Sequence, residues 1–515
     1  MFEGQPKGLY ALALANTGER FGYYTMIAVF ALFLKANFGL DPGSAGIIYS
    51  SFLGLVYFLP LIGGILADKF GFGKMVTIGI IIMFAGYLLL SIPLKAGSVE
   101  SVGFYAMLTA LVLISFGTGL FKGNLQVMVG NLYDEAGFSD KRDAGFSIFY
   151  MAINIGALFA PTAAVKIKEW AETALDYSSN DAYHFSFAVA CASLILSILI
   201  YYVFRPTFRH VEGNKPKAAV ADDKVVDAKT AVPELSPKET KDRIVALCLV
   251  FTVVIFFWMS FHQNGLTLTF FADEFTQKTS TGLQSMAFDV INLVCIIFIV
   301  YALFAVFQSK TKRGRVIAAL VIVAAVAILV WKAQHISGEV AVAAPIFQQF
   351  NPFYVVALTP VSMAIFSALA SKGKEPSAPR KIAYGMLVAG VAYLIMVAAS
   401  NGLLTPNEQK AAGDAATFAS ANWLIGTYLV LTFGELLLSP MGISFVSKVA
   451  PPKYKGMMMG GWFVATAIGN FLVSVGGLLW GDLPLVVVWS VFIGVCLLSA
   501  LFMFAIMKRL EKVCA

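Results

Sequence analysis

The feature that most constrains this chain is the recurrence, from one end to the other, of apolar runs long enough to cross a bilayer. A helix needs about 20 predominantly apolar residues for that, and about fourteen such runs can be read by length and hydropathy. Six come first, at 9–34, 47–66, 76–92, 105–121, 146–165 and 185–204. The stretch 205–242 that follows is rich in Lys, Asp, Pro and Ala, cannot bury itself, and reads as a linker. Eight more runs lie at 244–272, 290–307, 316–331, 353–369, 382–399, 423–446, 457–480 and 485–507. The pattern is six, two extra, and six. With 59% apolar and 13% charged residues, no water-soluble fold has enough interior to hide this chain.

Lys and Arg in short loops set orientation. Lys69 and Lys74, Lys141 and Arg142, the basic turn 310–315, the segment 372–381, Lys453 and Lys455, and the tail with Lys508 and Arg509 all fall on one side. Both termini and the linker are therefore expected to be cytoplasmic. The pair of runs at 290–307 and 316–331 reads as a peripheral transmembrane hairpin, because a complete hairpin leaves the topology downstream of it unchanged. Glu19 and Arg20 inside the first run argue against a cleavable signal peptide. The five cysteines suggest no disulfide framework. The net charge of +7 is accounted for by the loops on one side, so it is no argument for nucleic acid. Neither a phosphate-binding loop nor metal-ligand spacing is present, and no nucleophile comes with a base and an orienting group, so neither a cofactor nor an enzyme is indicated.

Four charges stand where a bilayer disfavours them: Glu19 and Arg20 in the first run, Lys122 at the end of the fourth, and Glu435 in a late one. Each costs roughly 2.5–3.5 kcal/mol at mid-bilayer and persists only with a partner or a wet cavity. Lys122 and Glu435 are expected to pair when nothing is bound. Asn16, Arg20, Tyr23 and Ile27 share one helical face, as do Trp258, His262 and Gly265, and Glu435 with Ser439. Polar faces from both halves of the chain imply a shared central cavity. The competing reading of residues such as Asn154 and Asn351 is interhelical hydrogen-bond glue, and of Trp258, Trp462 and Phe463 plain packing.

The segment Glu19-Arg20-Phe21-Gly22-Tyr23-Tyr24 resembles the first-helix signature ExxERFxYY of the proton-dependent oligopeptide transporters, and residues 142–156 (RDAGFSIFYMAINIG) match that family's fifth-helix signature almost position for position. Gly64 to Asp68 is similar to the major facilitator loop, and Lys122-Gly123-Asn124 to the family's KPN. Phe257-Trp258 with Gln263-Asn264-Gly265, Asn351-Pro352, and Gly434-Glu435 with Ser439-Pro440-Met441-Gly442 agree with later motifs. The resemblance implies an all-α integral membrane protein of the major facilitator fold. It would have a six-helix bundle over 1–204, a linker over 205–242, and a second bundle over 243–515 with a hairpin inserted at about 286–334, between helices 7 and 8. It implies a proton-coupled importer of di- and tripeptides in a bacterial inner membrane, expected to work as a monomer. Carried over by position, Arg20 and Lys122 would attract a peptide's carboxylate and Asn154, Asn351 and Glu435 would hold its amino end. Tyr23, Tyr24, Tyr57, Trp258, Ser439, Trp462 and Phe463 would shape the pocket.

This chain also departs from the pattern. Asn16 stands where the signature has its first Glu, Ile27 where an Arg is common, and His262 where the seventh helix has an acid. Losing an Arg and an acid that can pair across the cavity keeps charge balance while removing a gate. Proton coupling would then fall to Glu19, His262 or Glu435, or be absent, leaving a facilitator. Another cargo, a peptide-like or other organic anion or nitrate, is the alternative within the same fold.

Overall fold

The computed structural model describes residues 4–134, 137–138, 141–213, 235–309, 311–336, 338–451 and 454–514. The middle of the linker, 214–234, and two of the loop lysines used for orientation, Lys310 and Lys453, lie outside the described residues. Fourteen of the described helices are long and apolar enough to cross a membrane.

The first bundle is built from six unbroken helices: α1 (Lys7–Phe38), α2 (Pro42–Phe70), α3 (Phe72–Ser91), α4 (Val102–Leu132), α5 (Arg142–Ala174) and α6 (Tyr183–Val203). Local chemistry sets several ends. Asp41 caps α2 by accepting from the backbone N–H groups of Gly43 and Ser44, which satisfies donors a helix start leaves free. The Ser44 hydroxyl, together with those N–H groups, holds the Asp41 carboxyl below its ordinary range. Gly39 closes α1 in the left-handed conformation at φ 63°, where a residue without Cβ is at least cost.

The second bundle is less regular. Its first span breaks into α7 (Pro237–Phe261) and α8 (Thr267–Glu274), joined by a 3₁₀ turn at His262–Gly265. The short α9 (Gly282–Ser285) leads to the inserted hairpin, α10 (Val290–Gln308) and α11 (Lys312–Gln334). Then come α12 (Phe350–Ala370), α13 (Ala378–Ala399), the short α14 (Pro406–Ala411), α15 (Ala421–Val449), a second broken span made of α16 (Lys455–Phe471) and α17 (Ser474–Leu478), and α18 (Leu485–Cys514). Hydropathy gives 244–272 and 457–480 as single spans. The second break falls at Leu472 and Val473, as apolar as their neighbours, whereas the first falls on the polar run His262-Gln263-Asn264-Gly265, too short to interrupt a hydropathy window.

The hairpin is a module of its own. Strands β1 (Thr279–Ser280) and β2 (Val340–Ala341) pair antiparallel at its base, and Asp289 and Lys332 form an ion pair across its mouth. Most of α11 faces outward, with Val316, Leu320, Val323 and Trp331 each at least 58% exposed. That surface suits lipid rather than water.

An even number of spans puts both chain ends on one side, here called the basic face; the other is the far face. The far face is shut between bundles. Lys35, near the end of α1, meets Glu274, the last residue of α8, at 2.5 Å. Trp480 donates its indole N–H to the same carboxylate at 2.9 Å. Alongside, α17 lies so close to the start of α2 that a Cβ on Gly477 would stand 2.5 Å from the Pro42 carbonyl oxygen.

Candidate functional site

The break in the seventh span positions the centre of the molecule. Residues 262–265 leave α-helical geometry, and a Cβ on Gly265 would fall 1.8 Å from the hydroxyl oxygen of Tyr49 on α2. A glycine there lets the Tyr49 hydroxyl approach the turn without displacing the tyrosine side chain. The turn also points the side chain of His262 toward Tyr57 of α2, their rings 6.1 Å apart and edge to face. Trp258, one turn earlier, lies 5.1 Å from the His262 ring.

Around Tyr57 the intramembrane charges gather. The Lys122 ammonium from α4 sits 3.9 Å from the Tyr57 ring centre. Lys122 is also within electrostatic reach of Arg20, Glu19 and His262. On α1, Glu19 and Arg20 are 1% and 2% exposed and satisfy each other, two guanidinium nitrogens on one carboxylate. Arg20 also stands 4.7 Å over the Tyr23 ring, and Tyr23 meets Tyr24 edge to face at 5.2 Å. From the other bundle, Glu435 accepts a hydrogen bond of 2.9 Å from Asn351, whose amide also donates to Thr432 at 3.0 Å. Glu435 is within electrostatic reach of Tyr24, Tyr57 and Tyr150.

Two of the sequence expectations change. Among the described residues no ion pair joins Lys122 to Glu435; the ammonium lies over the Tyr57 ring and the carboxylate accepts from Asn351. Arg20 is not an open cation, because its adjacent carboxylate already occupies its guanidinium. Lys122 is the cation left over. A cation–π contact returns about 2 kcal/mol or more in a desolvated setting, of the order of the roughly 2.5–3.5 kcal/mol its charge costs at mid-bilayer. The ring accepts no conventional hydrogen bond, so the three ammonium donors still call for an anion or water.

The remaining expected residues are placed less centrally. Asn154 spends its amide on the Tyr150 carbonyl in its own helix at 3.0 Å. Trp462 lies against Gly442 of α15, where a Cβ would meet its ring at 1.9 Å, so its described contact is packing of α16 on α15. Ser439 is one turn from Glu435 and, like Phe463, half-buried. Asn16 and Ile27 are buried on α1. Sequence reasoning missed Tyr49, Tyr150 and Thr432. For Thr432 the available signal was helical spacing, three residues before Glu435, and for Tyr150 four residues before Asn154.

Two bundles of membrane helices, with a polar centre that both contribute to and one face sealed, define a membrane transporter of the major facilitator type. The profile of the POT family matches residues 73–230 and 328–479, and the chain belongs to that family. The uncharacterized transporter YclF of Bacillus subtilis (strain 168) is 29% identical over 501 residues, covering 93% of this chain and 89% of the relative. The di-/tripeptide transporter of Lactococcus lactis subsp. lactis (strain IL1403) is 27% identical over 497 residues, covering 90% of this chain and 87% of the relative. Among solved structures, that of peptide transporter POT in complex with sulfate superposes with a TM-score of 0.73 at 24% identity, covering 100% of this chain and 96% of that one.

Proposed function

We propose that this protein imports di- and tripeptides across the bacterial inner membrane by alternating access, with its basic face, both termini and the linker cytoplasmic, acting as a monomer. The observation that carries the reading is the placement of Lys122 and Glu435. One is on each bundle, they are opposite in charge, they do not pair with each other among the described residues, and the Lys122 ammonium lies over the Tyr57 ring while Glu435 is held by Asn351. A zwitterion laid across Tyr57 supplies the missing partner of each, its carboxylate to Lys122 and its ammonium to Glu435. Binding the two ends draws the bundles together, which is what a rocking carrier needs from its cargo. The name of the Lactococcus relative supports this choice of cargo. Varied side chains would be met by aromatic walls, Tyr23, Tyr24, Tyr57 and Trp258, which tolerate different shapes.

Proton coupling has three candidates in this chain. Glu19 is tied to Arg20 and Glu435 is held by Asn351, whereas His262 Nε2 is buried with no hydrogen-bond partner among the described residues. An unperturbed His titrates near neutral pH, and substitution of His262 is the first test among the three. Counterflow of labelled dialanine into liposomes, with and without a pH gradient, tests the proposal. Dialanine-dependent exchange supports it, and a protein that exchanges nitrate or simple carboxylates but no dipeptide overturns it.

A further inference from the structure

The two broken spans of the second bundle are joined to each other at their breaks by one side chain. Gln263, in the turn between α7 and α8, is 0% exposed. Its amide nitrogen donates to the Met259 carbonyl at 3.2 Å and to the Val473 carbonyl, in the break between α16 and α17, at 3.0 Å. Its carbonyl oxygen accepts from the Thr267 hydroxyl, at the start of α8, at 2.8 Å. A break in a membrane helix frees carbonyls that no water can satisfy, and this side chain serves one carbonyl on each helix. The space it occupies is reserved, because a Cβ on Gly476 would lie 2.1 Å from its oxygen.

Beyond the breaks, both short segments reach the same latch. The tip of α8 carries Glu274, paired with Lys35 of the first bundle. The tip of α17 leads to Trp480, which donates to Glu274 and packs against Phe270 and Phe275 at 5.8 and 6.2 Å between ring centres. Tyr428 of α15 donates to the Asn264 carbonyl at 2.9 Å, holding the pivot to the body of the bundle.

We propose that Gln263 is a positioning residue that yokes the two breaks, so that α8 and the α17–Trp480 tip swing as a single flap when the far face opens. This rests on alternating access but not on the identity of the cargo. Without the yoke, the two tips stay joined only through Trp480 at Glu274, Phe270 and Phe275, and the far face opens in two steps that are less tightly correlated.

The experiment uses full-length protein with its five cysteines replaced and spin labels placed in pairs, Ala36 with Gln277 and Ala36 with Leu483, all three positions being exposed. Lys35→Ala releases the latch and populates the far-open state. In that background the open fraction from the two label pairs should agree. Adding Gln263→Met, which keeps the side chain's length and removes its hydrogen bonds, should make the two fractions differ by about fivefold, the weight of a typical hydrogen bond. Thr267→Val, a milder change, should separate them in the same sense if Gln263→Met does not yield folded protein. Equal fractions in the substituted proteins overturn the proposal. So does a Lys35→Ala protein with no far-open population at either pair, since the latch would then not be what holds the flap. Because the distances are read without transport, a failure of dialanine exchange would count against the cargo and leave this result standing.

Discussion

The two bundles are built differently, and the difference shows where recognition and motion reside. The first has six continuous helices and supplies the cations, one of them, Arg20, neutralised by its own neighbour. The second breaks two of its spans at the level of the polar centre and supplies the acid, Glu435, with the amide that holds it. A continuous helix satisfies its own backbone, whereas a broken one must be satisfied by side chains such as Gln263 and Tyr428. The first bundle thus presents the positive charge, and the second carries the negative charge together with the two breaks.

The sharpest way to break this comparison is at Lys122. Among the described residues Lys122 is the central cation with no carboxylate or hydrogen-bond partner; Lys122→Gln removes it, and dialanine affinity should fall by about 10- to 100-fold, the range for a lost charged hydrogen bond. Arg20→Gln should instead act mainly on folding, because it strands the buried Glu19 carboxylate. Ligand titration and thermal unfolding of both proteins separate the two roles, and equal losses of affinity would erase the distinction drawn between the cations.

His262 probes whether the bundle with the breaks also carries the proton. His262→Gln should abolish pH-driven accumulation and spare peptide exchange, because exchange moves no net proton. If the substituted protein still concentrates peptide at the original pH optimum, Glu19 or Glu435 takes the role. If the unaltered protein accumulates nothing in response to a pH gradient, it is a facilitator.

A smaller effect is expected at the contact between the two bundles. Gly265→Ala places a methyl group against the Tyr49 hydroxyl and should cost about 1–3 kcal/mol of stability by overpacking. Tyr49→Phe should recover part of it, and melting temperatures of the single and double variants measure the coupling. No recovery would mean that the glycine serves the turn alone.

Much of this architecture could be read before any coordinates. Runs of bilayer length gave the number of spans, and charges at 19, 20, 122 and 435 marked the polar centre because a membrane tolerates so few of them. What hydropathy could not convey was the state of those charges. Adjacency in sequence did not say that Glu19 and Arg20 would satisfy each other, since neighbouring side chains on a helix usually diverge. The direct pairing expected of Lys122 and Glu435 overlooked Tyr57, whose place depends on how α2 packs. The break at Leu472 and Val473 was equally hidden, being as apolar as the helices around it, whereas His262-Gln263-Asn264-Gly265 is a polar run too short for a hydropathy window to resolve as a break.

The smallest effect is expected at the hairpin. Its surface is mostly apolar and outward-facing, and β1 with β2 and the Asp289–Lys332 pair close it off at its base. Replacing residues 290–334 with a short polar linker should leave dialanine affinity within about twofold, well under the tenfold that 1.4 kcal/mol represents. A tenfold loss in protein that remains monodisperse would show that the insertion reaches the cavity.

Glu435 is the seat proposed for the peptide's amino end. Purified protein and its Glu435→Gln variant can each be titrated with dialanine and with N-acetyl-dialanine, which keeps the carboxylate and lacks the ammonium. The unaltered protein should prefer dialanine by about tenfold or more, and the variant should bind the two alike. If Glu435→Gln keeps the full preference for dialanine, the ammonium is held elsewhere and the central claim is wrong.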